Sequence, residues 1–228
     1  MTQNTRVFRA ILFDLDGTLV DTAPDLGLAL NLLRTRHQLP PLPAAAIRPH
    51  ASHGARGLLK IGFGLDAGHA EFEAYRNDFL QLYAENLCRE SRPFEGILAL
   101  LDTLEARRVP WGVVTNKPAR FTEPLLSLLG LAERAATVVS GDTCPQPKPH
   151  PAPMYYAAQE LGLPANACLY VGDAERDVEA ASAAGMQALV ALWGYLAGHD
   201  RPQDWHALAC VAAPAELLNF LAPAPSIA

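Results

Sequence analysis

Two aspartates, Asp14 and Asp16, stand in the run Asp14-Leu15-Asp16-Gly17-Thr18, directly behind an apolar stretch from Val7 to Phe13. Strand alternation would turn both side chains the same way. The C-terminal ends of parallel strands are also where open α/β sheets bind ligands. Like charges this close repel unless a cation joins them, and a hard ion such as Mg²⁺ takes carboxylate and carbonyl oxygens. Gly17 would allow a tight turn and a close backbone approach to a ligand. By itself a D-x-D-G run also fits a solvated Asp-rich turn. A calcium loop does not fit, because Gly17 comes too early and position 25 is Asp25 rather than a bidentate glutamate.

Three further segments carry matching chemistry. Cys168–Val171 is a buried strand pattern running into Gly172-Asp173, with Asp177 four residues on at the start of a helix. Asp173 could reach the crevice from a neighbouring strand end and complete a cation site, with Asp177 supporting it one turn along. Taken alone, Asp173 fits a helix N-cap equally well. Trp111–Val114 ends in Thr115-Asn116, a hydroxyl and an amide able to donate to phosphate oxygens. Lys148 lies between Pro147 and Pro149, and the only other lysines are Lys60 and Lys117. Flanking prolines restrict the backbone, which suits a positioned charge. Singly, the Thr-Asn and Lys segments also read as solvated loops. In this order, though, the four segments place carboxylates, a hydroxyl and an ammonium at the strand ends of one sheet. Phosphoryl transfer through an aspartyl-phosphate needs that set: a carboxylate nucleophile, a proton donor, a divalent ion and fixed cations.

The elements that must hold these residues are legible from periodicity. Short apolar runs at Val7–Phe13, Trp111–Val114, Ala136–Val139, Cys168–Val171 and Ala188–Leu192 read as strands. Helical patterns at Ile97–Arg107, Phe121–Leu129, Pro151–Leu161 and Ala174–Ala184 alternate with the later ones, which predicts an α/β fold with a parallel sheet flanked by helices. The stretch from Asp21 to Arg92 breaks the alternation. It holds helical patterns near Pro24–Gln38, Pro43–Arg48, Ala55–Gly62 and Ala70–Leu87 and no convincing strand. That is far too long for one crossover, so it reads as an inserted all-helical module. The division expected is a core of residues 1–20 and 93–228 with an insertion of residues 21–92.

Composition narrows the partners. The 228 residues carry 18 Lys+Arg against 24 Asp+Glu, a net charge of −6, and are 50% apolar. Such a chain can bury a core, and its acidity argues against nucleic acid and polybasic membrane contacts. No apolar run approaches the ~18 residues of a membrane span, and the polar opening Met1–Arg6 argues against a signal peptide. Cys88, Cys144, Cys168 and Cys210 form no C-x-x-C pair, which fits free thiols in a reducing compartment; a cytoplasmic monomer or homodimer is expected. No Walker loop occurs. His50 and His53, three apart in an expected loop, do not make a zinc site, His199 and His206 are expected in solvent, and the tail from Ala222 is expected to fray.

The four motifs in order resemble those of the haloacid dehalogenase superfamily, specifically its phosphatases with a helical cap after the first strand. The resemblance covers essentially the whole chain, and it implies a Rossmann-like core and a small phosphate ester as substrate. It implies Asp14 as nucleophile, Asp16 as general acid/base, and Thr115, Asn116 and Lys148 around the phosphoryl group. It also implies Mg²⁺ held by Asp14, the Asp16 carbonyl and Asp173, with Asp177 in support. The second carboxylate, Asp16, separates phosphatases and phosphomutases from dehalogenases. Ser91–Ile97 and Trp111–Pro118 are similar to the phosphoglycolate-phosphatase-like branch, and most to its N-acetylmuramic acid 6-phosphate phosphatases. A phosphomutase or a non-catalytic phospho-ligand sensor of this fold are the rival readings. Substrate choice is expected of the cap. There Gly54 opens a helix, Arg56 sits in the first turn where an anion is favoured, and His53 and Gly54 shape the pocket.

Overall fold

A computed structural model describes residues 8–221. The first strand β1 (Ala10–Phe13) leads to β2 (Val20–Asp21) and then to helices α1 (Ala23–Arg36) and α2 (Ala44–Ile47). A 3₁₀ helix (Arg48–His53), α3 (Gly54–Phe63), α4 (Phe72–Glu85) and β3 (Arg92–Pro93) follow. From there strand and helix alternate: α5 (Ile97–Ala106), β4 (Trp111–Val114), α6 (Ala119–Leu128), β5 (Thr137–Val139) and α7 (Ala152–Glu160). The series closes with β6 (Cys168–Gly172), α8 (Glu175–Ala183), β7 (Gln187–Ala191) and β8 (Ala209–Val211).

Six strands form one parallel sheet in the order β5-β4-β1-β6-β7-β8, a Rossmann-like α/β arrangement with β1 between β4 and β6. The period of two along each strand sorts its side chains to two faces. Ile11 and Phe13 pack with Leu101, Leu104, Trp111 and Leu125 under α5 and α6. Ala10 and Leu12 pack with Met154, Ala157, Tyr170 and Val178 under α7 and α8. Both faces are buried, which is why β1 reads as an unbroken apolar run. Each large aliphatic so buried contributes roughly 1.5–3 kcal/mol.

The helices between β2 and β3 have their own core, built from Leu26, Leu30, Leu58, Leu59, Phe79 and Leu82. Phe121 of α6 and Tyr195 of the loop after β7 belong to the same cluster, so the helical insertion packs directly on the sheet's loops.

Three features depart from the sequence reading. Val20–Asp21 and Arg92–Pro93 pair antiparallel, so short strands close both ends of a segment expected to hold none. Two residues are too few to show alternation. β8 likewise has only three residues and pairs with β7, adding a sixth strand beyond the five expected. His50 and His53 lie in the 3₁₀ helix rather than in a loop. The first strand begins at Ala10; Val7, the segment Met1–Arg6 and the tail from Ala222 lie outside the described residues.

Candidate active site

β1, β4 and β6 are neighbours that end together, so the residues that follow them, Asp14, Thr115 and Asp173, converge at one edge of the sheet. Asp177, from the first turn of α8, joins them. Asp14, Asp173 and Asp177 are all buried, and each offers a carboxylate oxygen within 4.8 Å of the others. Three buried acids at that spacing are unstable as three free anions. An all-oxygen donor set of this kind suits a hard divalent cation.

Lys148 offsets part of this charge. Its Nζ donates to Val114 O at 2.9 Å, Tyr170 Oη at 2.7 Å and Asp177 Oδ1 at 2.8 Å. An ammonium has three protons, and these partners use all of them. Asp14 Oδ1 stands 2.9 Å from the same Nζ, yet is the one buried side-chain oxygen or nitrogen without a hydrogen-bond partner among the described residues. Asp14 is thus held beside a positive charge with an oxygen left free, which suits a nucleophile or a cation ligand. Burial opposes the Lys148 charge, but Asp14 and Asp177 outweigh it and hold its pKa above the ordinary lysine value.

Asp173 is clamped from three directions. Its Oδ2 accepts from the Tyr195 N–H and from Ser52 Oγ, each at 2.8 Å, and Thr18 Oγ1 lies 3.3 Å from Oδ1. Ser52 belongs to the helical insertion. Gly17 turns at φ +90°, and a Cβ there would overlap the Asp173 carboxylate, so only glycine lets the loop after β1 pass this close. Burial, and then the charges of Asp14 and Asp177, push the Asp173 carboxyl up to about 7.

Asp16 faces the other way, toward the insertion. Thr22 Oγ1 donates to its Oδ1 at 2.5 Å, and Lys117 Nζ lies 2.9 Å from the same oxygen. Beside Asp16 opens a cavity of about 240 Å³ between the sheet's loops and the helices. Phe79, Leu80, Tyr83 and Phe121 supply apolar wall, while Arg56 of α3, Arg76 of α4 and Lys117 supply positive charge. His53 and Gly54 also line it. The Arg176 guanidinium donates to Ser52 O at 2.6 Å and lies 3.4 Å from His53 Nδ1. Partial burial and that guanidinium hold His53 below its ordinary pKa, so near neutral pH it shapes the wall as an uncharged ring.

Thr115 is buried, and its Oγ1 accepts from the Lys117 N–H at 3.1 Å. The Asn116 side chain lies on the Lys148 backbone, donating to its carbonyl at 2.8 Å and accepting from its N–H at 2.9 Å. The amide expected on the phosphoryl group thus also fixes the lysine loop. The Asp177 carboxylate accepts from the Ala174 N–H at 3.1 Å as well as from Lys148, locking the start of α8.

Sequence reasoning assigned no role to Lys117, Tyr83, Arg76, Ser52, Arg176 or Tyr195. One signal was present: Lys117, next to Pro118, is one of only three lysines and directly follows Thr115-Asn116. Arg176 lies beside Asp177 in sequence but acts through Ser52 and His53. Ser52, Tyr83 and Tyr195 meet their partners across 22 or more residues of chain, and Arg76 meets the cavity from α4, where no local pattern marks them.

Residues 11–191 match the family described as haloacid dehalogenase-like hydrolase. The chain belongs to that family. Among the relatives of this hydrolase, a phosphoglycolate phosphatase of Xanthomonas campestris pv. campestris (strain 8004) is 43% identical over 92% of this chain and 94% of its own. An N-acetylmuramic acid 6-phosphate phosphatase of Pseudomonas aeruginosa is 40% identical over 93% of this chain and 94% of its own. A crystal structure described as a predicted phosphoglycolate phosphatase from Haemophilus somnus 129pt superposes with a TM-score of 0.81 at 30% identity, covering 93% and 97% of the two chains. This hydrolase is accordingly a phosphatase, a phosphoric monoester hydrolase. Among the described residues, no helix is long and apolar enough to cross a membrane.

Proposed function

We propose that this phosphatase hydrolyses a small phosphate ester that carries a carboxylate away from the phosphate, with N-acetylmuramic acid 6-phosphate as the substrate. Residues 21–92 act as a cap over a core of residues 1–20 and 93–228, and Mg²⁺ is the cofactor. Asp14, the Asp16 carbonyl and Asp173 would hold the ion, with Asp177 behind them, and the free Oδ1 of Asp14 fits that assignment. When bound, Mg²⁺ supplies charge that offsets the clustered carboxylates and the phosphate dianion.

The chain's own residues do the rest. Asp14 attacks phosphorus and becomes an aspartyl-phosphate. Asp16 gives a proton to the leaving alkoxide and later takes one from the hydrolytic water. Lys148, its protons already engaged, contributes fixed charge, while the Thr115 hydroxyl at the neighbouring strand end orients the phosphoryl oxygens. The free cysteines suit a reducing cytoplasm.

The observation that carries the substrate choice is the cavity beside Asp16. Its 240 Å³ is room for several waters at about 30 Å³ each, well beyond the few atoms of glycolate. Its wall combines apolar surface for a sugar ring with Arg56 and Arg76 for an acid. Phosphate release should be measured with N-acetylmuramic acid 6-phosphate, N-acetylglucosamine 6-phosphate and 2-phosphoglycolate. The first should show the highest kcat/KM. A higher value for 2-phosphoglycolate would replace the muramyl sugar as substrate, and no release from any of the three would reject the reading.

A further inference from the structure

Lys117 and Tyr83 carry an arrangement that hydrolysis as outlined above does not use. Among the described residues two lysines are buried, and each sits against one carboxylate of the D-x-D pair: Lys148 against Asp14, Lys117 against Asp16. Lys148 is held by the strands β4 and β6 and the first turn of α8, without any group of the insertion. Lys117 differs. Its Nζ spans Asp16, at 2.9 Å from Oδ1 and 3.3 Å from Oδ2, and the Tyr83 hydroxyl at 2.8 Å. The ammonium also lies 4.6 Å from the centre of the Tyr83 ring, within cation–π range. Tyr83 belongs to α4 of the insertion, and its ring packs on Phe121 of α6 at 5.3 Å between centroids.

Burial alone would discharge Lys117; Asp16 and the Tyr83 hydroxyl outweigh it and keep the ammonium charged. Burial pushes the Tyr83 phenol up to about 12, so it meets Lys117 as a neutral acceptor. Asp16's other anchor is Thr22, just past the β2–β3 pair where the insertion begins. Both groups that fix the Asp16 carboxylate therefore depend on where the insertion sits.

We propose that Lys117 is a positioning residue for the Asp16 carboxylate and that the Tyr83 hydroxyl is the tether that holds the Lys117 ammonium in place. This rests on the assignment of Asp16 as general acid. Proton donation matters for an alkoxide leaving group and little for an activated aryloxide. Loss of alignment should therefore slow the first turnover of a sugar phosphate and spare that of an aryl phosphate.

The test is rapid-quench measurement of the first turnover with N-acetylmuramic acid 6-phosphate and with p-nitrophenyl phosphate, in wild type, Lys117→Met, Lys117→Arg and Tyr83→Phe. In Lys117→Met the sugar phosphate should slow by roughly 30- to 300-fold, within the ~10²–10⁴ ascribed to acid–base help, and the aryl burst by less than about 3-fold. Tyr83→Phe, which keeps the ring and the ion pair, should slow the first turnover of the sugar phosphate by about 3- to 10-fold and that of the aryl phosphate by clearly less. Lys117→Arg should recover part of the loss. If Lys117→Met does not fold, Tyr83→Phe decides alone. If Tyr83→Phe slows the two substrates equally, or slows neither, the inference is overturned. An Asp16→Ala variant that slows the two substrates equally would instead remove the assignment of Asp16 beneath it.

Discussion

The two carboxylates of the D-x-D pair lie two residues apart and live in opposite surroundings. Asp14 is walled in by β1, β4 and β6, with Lys148, Asp173 and Asp177 fixed around it by strand ends and by the first turn of α8. Asp16 is partly exposed and is anchored by a hydroxyl next to the insertion's first strand and by an ammonium shared with the insertion's α4. The first environment is rigid and overcharged; the second spans two packed bodies and is close to neutral. On the proposed mechanism, the nucleophile common to every substrate sits on the sheet, and the acid that answers to the leaving group sits at the seam.

The largest expected effect falls on the sheet side. Asp14→Asn should lower phosphate release by ~10⁴-fold or more for every substrate, since an amide cannot form the acyl-phosphate. Steady-state assays of the folded variant at equal protein concentration check this, and wild-type-like release would refute it. Lys148→Met should cost stability rather than rate alone. Removing one partner of a buried charge cluster leaves carboxylates uncompensated, typically at about 3–5 kcal/mol. Urea unfolding without divalent ions should show that loss, and added Mg²⁺ should recover much of it.

Next comes the pH response of Asp173. Its carboxyl titrates at about 7 in the fold, against ~3.9 in an unfolded chain. Between those values the folded state holds a proton the unfolded state lacks, so this group's contribution falls as pH rises from about 4 to 7. Without divalent ions, wild type should therefore lose ~1–4 kcal/mol relative to Asp173→Asn across that window. Saturating Mg²⁺ should flatten the difference. A difference that grows in favour of wild type with rising pH would contradict the assignment.

The smallest effects belong to the seam. Arg56 is exposed, and the Arg76 side chain is 40% exposed and lies 3.4 Å from Glu73. Solvent screening therefore holds either arginine well below what a buried pair would contribute. Arg56→Ala and Arg76→Ala should each cost about 1–2 kcal/mol in kcat/KM for N-acetylmuramic acid 6-phosphate and little for N-acetylglucosamine 6-phosphate. An equal loss for both sugars would remove the arginines from substrate selection.

The same contrast explains what the sequence could reveal. Asp14, Thr115 and Asp173 each follow an apolar run that ends at the sheet's edge, so local periodicity was enough to bring them together. Lys148 was marked by its prolines. The role of its protons was not, because it depends on Val114, Tyr170 and Asp177 from three separate elements. The seam was least legible. Tyr83 reads as one more apolar position on an amphipathic helix, and its hydroxyl gains meaning only when α4 lies over the loop after β4. Ser52 reaches Asp173 across 121 residues of chain. The β2–β3 pair was invisible for the same reason: its two strands are too short for any pattern and meet only through folding.

The account stands on Asp14 carrying the phosphoryl group. Acid-quenched single-turnover reactions, digested and read by mass spectrometry, measure this directly. The added mass of one phosphoryl group should appear on the peptide containing Asp14 within the first turnover, decay as phosphate is released, and be absent from Asp14→Asn. Phosphate release at the wild-type rate with that peptide unmodified throughout would contradict it.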